Sequence, residues 1–281
     1  MDSCQTLISK IKEEYDAGRL ILPSLPEIIV RVRQAVNNDD VNLGDVVKLI
    51  QVDPSLTARL VQIANSPLYR SRQPVENCLM AVNRLGLATT RDLVTCLVLN
   101  NVFNAENNQL RNRVQDLWHH SCHVAAIAST IAKVTPGLHE DTALLAGLLH
   151  DIGVLPVLHY AADFPDILES EEKLNFVIQK LRASLGQKIL QEWNFDSALS
   201  DVSAQAENWL RNSDKAADYV DVVIVAQLHS YFGADKNANL PSLLSIPAFN
   251  KLGLSKLGPD ASLEVLFEAE QGIRDIMGML N

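Results

Sequence analysis

The segment Ala143-Leu-Leu-Ala-Gly-Leu-Leu-His-Asp-Ile-Gly153 constrains the fold of this chain more than any other. It offers no polar face before His150, and an α-helix that is apolar all round has to be enclosed by protein or lipid. The apolar run continues to Ala162, long enough to span a bilayer. It contains His150, Asp151, Pro156 and His159, however, and charge at bilayer depth is costly. The segment therefore reads as a buried core helix. Ala143, Ala146, Gly147 and His150 line one side of it, and residues that small predict a second helix in close approach. A buried His–Asp doublet is costly unless both groups are paired or hold a cation. The pattern alone leaves open a His–Asp hydrogen bond and a metal site.

Helical punctuation recurs along the rest of the chain. Asp53 is a good N-cap before Pro54 at the first helical position, and Leu56, Leu60 and Ile63 keep helical spacing until Asn65-Ser66-Pro67. Pro26 opens another helix, with Ile28, Ile29, Val32 and Val36 on its apolar side. Further helices are expected over about 43–52, 75–85, 89–102 and 262–279. The β-branched run Val220–Val225 has no turn and no hairpin partner beside it, so it too reads as a buried helix. The fold class is all-α. An Asn-rich stretch from Asn100 to Asn112 is the best junction between an N-terminal helical lobe, 1–105, and a C-terminal one, 106–281. A second polar stretch runs from Gly233 to Asn239.

Charge and cysteine usage narrow the partners. With 24 Lys+Arg against 34 Asp+Glu, the formal charge is −10, and basic pairs such as Arg70/Arg72 and Arg111/Arg113 are isolated. Nucleic acid and anionic membranes demand a basic face, so neither is an expected partner. Cys4, Cys78, Cys96 and Cys122 form no C-x-x-C pair and fit a reducing compartment as small apolar core residues. With no secretory leader at its start, the chain is expected to be cytoplasmic.

Four of the seven histidines fall in two segments, His119/His120/His123 and His150. On a helix, Val124, Ile127 and Ile131 follow His120 on one buried stripe, with His119 at its edge. His119 and His123 are spaced i,i+4, but the stretch lacks the Glu of a zinc-protease motif. His119, His123, His139, His159 and His229 read as surface or packing residues.

Several ordered motifs then agree. Leu22-Pro-Ser-Leu-Pro26, Val52-Asp-Pro-Ser-Leu56, Ile63-Ala-Asn-Ser-Pro67 and Ala81-Val-Asn-Arg-Leu-Gly86 are followed by Trp118-His-His-Ser121, Ala146-Gly-Leu-Leu-His-Asp-Ile-Gly153, Leu185-Gly186 and Trp193. Together with Lys251-Leu-Gly-Leu-Ser255, they resemble the HDOD domain, a bacterial signalling module related to the HD metal-dependent phosphohydrolases. The resemblance implies a two-lobed helical protein, an N-terminal bundle packed on a degenerate HD-like bundle. In active HD enzymes a His, a His-Asp doublet and a distal Asp surround a metal. By position these are His120, His150 and Asp151, with Gln227 standing where the distal carboxylate belongs. Related phosphodiesterases place one further histidine where Arg182 aligns and a pair near Ala206-Glu207. Arg cannot ligate a metal because it stays protonated; within the pocket, its guanidinium would pair with Asp151.

The expectation is a non-catalytic signalling module that binds a protein partner or small ligand in the groove between the lobes, with no cofactor. The residues leave monomer and homodimer open. The alternative is a metal-dependent phosphohydrolase acting on a nucleotide or cyclic dinucleotide, with a single Fe, Zn or Mn ion on His120, His150 and Asp151.

Overall fold

The structure is a computed structural model that describes residues 3–38, 40–69, 73–104, 108–213, 215–231, 240–252 and 270–280. In chain order its helices are α1 (Ser3–Asp16), α2 (Glu27–Val36), α3 (Leu43–Gln51), α4 (Pro54–Ala64), α5 (Cys78–Leu85), α6 (Leu87–Leu99) and α7 (Asn108–Lys133). There follow α8 (Glu140–Leu149), α9 (Val154–Ala161), α10 (Pro165–Leu168), α11 (Glu171–Glu192), α12 (Ser197–Gln205), α13 (Tyr219–Ser230), α14 (Pro247–Lys251) and α15 (Glu270–Leu280). Among the described residues every regular element is helical, as expected.

The local signals act as their chemistry dictates. Asp53 caps α4 by accepting from the amides of Ser55 (2.8 Å) and Leu56 (3.1 Å), with Pro54 at the first helical position. Helix α2 follows Pro26 and buries Ile29 and Val32. Val220–Val225 lies wholly buried in α13, whose start is a capping box between Asp218 and Asp221. Two boundaries differ from expectation. Asn77 caps α5, accepting from Met80 N at 3.0 Å, so that helix starts at Cys78 rather than Val75. Gly86, at φ +79°, ends α5 and turns the chain directly into α6, which runs from Leu87 to Leu99 rather than 89–102. The polar stretch 233–239, residues 262–269 of the last expected helix, Gly253–Ser255 and the Arg70/Arg72 pair lie outside the described residues.

Glu140–Ala161 has the length and apolarity to cross a membrane, yet it is broken into α8 and α9 and packed inside the protein. Leu145, Leu148 and Leu149 of α8 are fully enclosed, each stabilising by roughly 2 kcal/mol. The small-residue side of α8 lies on α7, as its composition predicts. A Cβ at Gly147 would sit 2.5 Å from Ala125 Cα, so the two backbones are in contact there. A second such crossing joins α9 to α11: a Cβ at Gly153 would sit 2.0 Å from the Arg182 carbonyl oxygen and 2.5 Å from Gly186 N.

Helices α2 to α6 pack on one another, and α7, α8, α11, α12 and α13 form a second group. Helix α1, first in sequence, lies on α9, α10 and α11. The two groups meet where α6 lies on α8, through reciprocal hydroxyl–carboxylate bonds. Thr89 Oγ1 donates to Asp141 Oδ2 (2.8 Å) and Thr142 Oγ1 to Asp92 Oδ2 (2.9 Å), while the Tyr69 hydroxyl donates to Asp141 Oδ1.

Adding one methyl group at either glycine crossing forces backbone apart from backbone. Gly147→Ala and Gly153→Ala are each expected to lower stability by about 2–3 kcal/mol in chemical denaturation. Gly278→Ala in α15, whose Cβ would meet nothing within 4 Å, is expected to be neutral or slightly stabilising. A loss below about 0.5 kcal/mol at both crossings would contradict the packing described.

Candidate metal centre

The contact between α7 and α8 decides what the His-Asp doublet faces. His150 is the C-cap of α8, fully buried, and its Nδ1 lies 2.6 Å from the carbonyl of Gly147. A ring nitrogen facing a carbonyl must carry the proton, so the hydrogen bond fixes the ring and aims Nε2 toward the doublet's carboxylate. Nε2 of His150 lies 3.2 Å from Asp151 Oδ2, and Nε2 of His120, from α7, lies 3.7 Å from the same oxygen. Neither contact is aligned as a hydrogen bond, and both Nε2 atoms are buried without a partner. The ligand atoms of His120, His150 and Asp151 all lie within 4.8 Å of one another. The structure therefore brings together the three residues predicted from sequence.

The other oxygen of Asp151 is taken. Arg182, buried on α11, donates from Nη1 to Asp151 Oδ1, and its Nη2 lies 2.9 Å from Glu207 Oε2. Glu207, in the turn after α12, accepts in turn from Gln227 Nε2 at 3.4 Å. Gln227, fully buried in α13, also donates to the Tyr231 hydroxyl at 3.2 Å. The Tyr231 ring stacks on His120, with centroids 5.7 Å apart and planes 15° from parallel. Hydrogen bonds and ion pairs thus link Asp151, Arg182, Glu207, Gln227 and Tyr231, and the Tyr231–His120 stack and the approach of His120 to Asp151 close these residues into a ring.

Electrostatics follow from this ring. Burial alone would raise the Asp151 carboxyl, but His150, Arg182 and His120 outweigh it and hold the group well below the usual carboxylate range. Burial, and then His150, push the His120 imidazole down to about 4, so it is neutral at pH 7. Burial raises Glu207 above its ordinary value despite Arg182 beside it. Burial opposes the charge of Arg182, yet Asp151 and Glu207 raise its pKa above the ordinary value, so it stays protonated.

Two imidazole nitrogens and a carboxylate oxygen are suitable donors for a borderline divalent ion. The remaining side of the cluster does not fit one. A divalent ion beside Arg182 would set three positive charges against the two carboxylates. At a separation of about 4 Å and an effective dielectric constant of about 20, the ion and the guanidinium alone repel by about 8 kcal/mol. The distal position supplies a neutral amide in Gln227, whose Oε1 is buried without a partner. The ring as it stands is built around a guanidinium, and a metal on the three donors would face that charge on one side and a neutral amide on the other.

Of the predicted residues, Arg182 enters the pocket and pairs with Asp151, whereas Gln227 touches only Glu207 and Tyr231 within the ring. Tyr231 was not singled out as a site residue, and Glu207 only as part of Ala206-Glu207, where the resemblance places a histidine pair. Their signal lay in Arg182 itself: a buried guanidinium offers five donors, more than one carboxylate satisfies. His119, His139 and His159 are exposed, and His123 and His229 are half-buried outside the cluster. The cluster opens into a cleft of about 640 Å³ walled by α7, α9 and α11, with Leu117, Leu158, Ile178 and Trp209 among its lining.

Known proteins resemble the chain along nearly its whole length. A candidate metal-dependent phosphohydrolase from Shewanella amazonensis is 28% identical with a TM-score of 0.81, covering 97% of this chain and 100% of that one. An HDOD domain protein of unknown function from Geobacter sulfurreducens is 25% identical with a TM-score of 0.71, covering 98% and 97%. An uncharacterised Treponema pallidum protein is 25% identical over 271 residues, 89% of this chain, and the chain spans 50% of that relative's length. The family description that matches is the HDOD domain, over residues 22–209. Helical architecture, motif order and this match agree, and the chain belongs to the HDOD domain family.

Proposed function

We propose that this chain is a non-catalytic HDOD signalling module that acts by binding a partner protein or small ligand. The observation that carries the reading is the guanidinium of Arg182 across Asp151 and Glu207, in the place where a hydrolytic centre would need a cation free to polarise phosphate. The cleft above it supports the same reading. Its lining holds Asp116, Asp151, Glu171 and Glu207 against Arg113 and Arg182. Arg113 is spent on Glu171 at 2.7 Å and Arg182 on its two carboxylates. A phosphate approaching this wall meets net negative charge and, among the described lining residues, only cations that are already paired. The alternative, a phosphohydrolase of nucleotides or cyclic dinucleotides, rests on the three donors converging within 4.8 Å.

The binding surface we favour is a second groove of about 760 Å³, between Ile21–Ser24 and Asn101–Asn104 on one side and α7 and α9 on the other. Its lining mixes apolar side chains (Ile21, Leu22, Val102, Leu155) with Lys10, His159 and Asp163. Mixed lining of this kind suits recognition at a junction between packed units. The four cysteines are free and buried, which agrees with a cytoplasmic setting.

Two measurements test the proposal. Tag-free protein supplied with Mn²⁺, Fe²⁺ or Zn²⁺ is expected to hydrolyse neither bis(p-nitrophenyl) phosphate nor a cyclic dinucleotide above background, and His150→Ala is expected to change nothing. Metal-dependent turnover that His150→Ala abolishes would establish the alternative. Ile21→Asp, at a position 56% exposed in the wall of the groove, is expected to shift stability by less than about 0.5 kcal/mol. The same substitution is expected to reduce capture of the cognate partner in cells by at least about tenfold, a loss of roughly 1.4 kcal/mol. Unchanged capture would move the binding surface elsewhere.

A further inference from the structure

We infer that the groove beside Ile21 takes an extended, uncharged segment of a partner protein, which pairs its backbone with Leu22 and Ser24 as an added β-strand would. The inference rests on the reading above that this groove is the binding surface. It goes beyond that reading by fixing the conformation and the chemistry of what binds.

Three observations carry it. First, one wall of the groove is a single extended strand. No regular element occupies 19–26, and the order Leu22-Pro23-Ser24-Leu25-Pro26 enforces this. Each proline fixes its own φ at roughly −65° and drives the residue before it to extended backbone. Pro26 itself has φ −54° and ψ 136°. Second, the protein uses only alternate residues of this strand. Ile21 N donates to the Tyr160 hydroxyl at 3.1 Å, and the Pro23 carbonyl accepts from Trp193 Nε1 at 3.1 Å. In extended backbone, the polar groups of residues two apart point one way and those of the residue between them the other. Leu22 and Ser24 accordingly turn theirs away from Tyr160 and Trp193, and neither backbone has a hydrogen-bond partner among the described residues. Both line the groove, and Ser24 is exposed. An unpaired edge of this kind is a template for a further strand. Third, the rest of the lining suits an uncharged main chain. Asn101 and Asn104 are exposed on the same wall, and their amides make no hydrogen bond to the described residues. An Asn amide offers a donor and an acceptor, the complement of a peptide group. Apart from His159, the charged residues of the lining are Lys10 and Asp163, which neutralise each other at 2.8 Å. Lys10 is also held against the Tyr160 and Phe164 rings, 5.7 and 5.8 Å from their centroids. A nucleotide would find no unpaired Lys or Arg in this lining, whereas apolar side chains of a peptide would meet Val102 and Leu155.

The test is selection of capped random peptides of about eight residues, roughly 27 Å long when extended, on the native full-length protein. Each amide of a selected peptide is then N-methylated in turn, and binding is followed by calorimetric titration. Affinity is expected to fall at least about tenfold when every second amide is methylated and less than about twofold at the amides between. Ser24→Pro, which deletes one N–H of the wall, is expected to weaken the same peptide at least about tenfold, and Ser24→Ala less than about twofold. Ile21→Asp is expected to remove the binding. Should Ser24→Pro fail to fold, the methylation series on native protein decides alone. Binding that Ile21→Asp removes, but that shows no alternation along the peptide, would overturn the inference and keep the groove as the binding surface. So would a folded Ser24→Pro that binds as tightly as the native protein. Selection of no peptide would also overturn the inference, leaving the groove to a folded surface or a small molecule. Peptides indifferent to Ile21→Asp would overturn both the inference and the groove.

Discussion

One buried guanidinium organises the chemistry of this protein. Arg182 holds Asp151 and Glu207 together from α11, and through Glu207 it reaches Gln227 and Tyr231 on and beside α13. Burying an ion pair is expensive, and the attraction offsets the lost hydration only when the remaining hydrogen bonds are made. Here one cation is shared by two carboxylates, and the second carboxylate is tied onward to an amide and a phenol. Deleting one partner of such a pair typically costs about 3–5 kcal/mol, since it strands the other charge. The interaction therefore ties α11 to the doublet after α8, to the turn after α12 and, through Gln227, to α13.

The ring can form only because the scaffold places two backbones in contact. Gly147 lets α8 settle on α7, which brings His150 opposite His120, with ring centroids 5.2 Å apart. Gly153 lets the start of α9 settle on α11 at the Arg182 carbonyl and the Gly186 amide. The first crossing sets the imidazoles and the second sets the guanidinium relative to the carboxylate between them. The fully apolar α8 is thus a positioning element. Its burial holds the His-Asp doublet at a depth where charge is neutralised from within the protein.

Much of this was legible in the residues. Asp53-Pro54, the Val220–Val225 run and the small side of α8 act locally, through capping, enclosure and helix approach, and each needs no knowledge of distant partners. The start of α6 was misjudged because the positive φ of Gly86 lets one helix follow another without a linker. The surroundings of α1 were not legible either. Leu7, Ile8 and Ile11 announce a buried stripe but not which surface covers it, and that surface belongs to α9, α10 and α11. His120, His150, Asp151 and Arg182 were found through their spacing and family resemblance. Glu207 and Tyr231 become partners only when a turn after α12 and the end of α13 are brought to α11, which no short pattern encodes.

Helix α9 has one more consequence. Leu158 lines both the cleft over the ring and the wider groove beside Ile21, so a single turn of helix serves as a party wall. Its N-terminus is pinned against the backbone of Arg182 by the absence of a side chain at Gly153. A displacement of that turn toward one space takes room from it and gives room to the other.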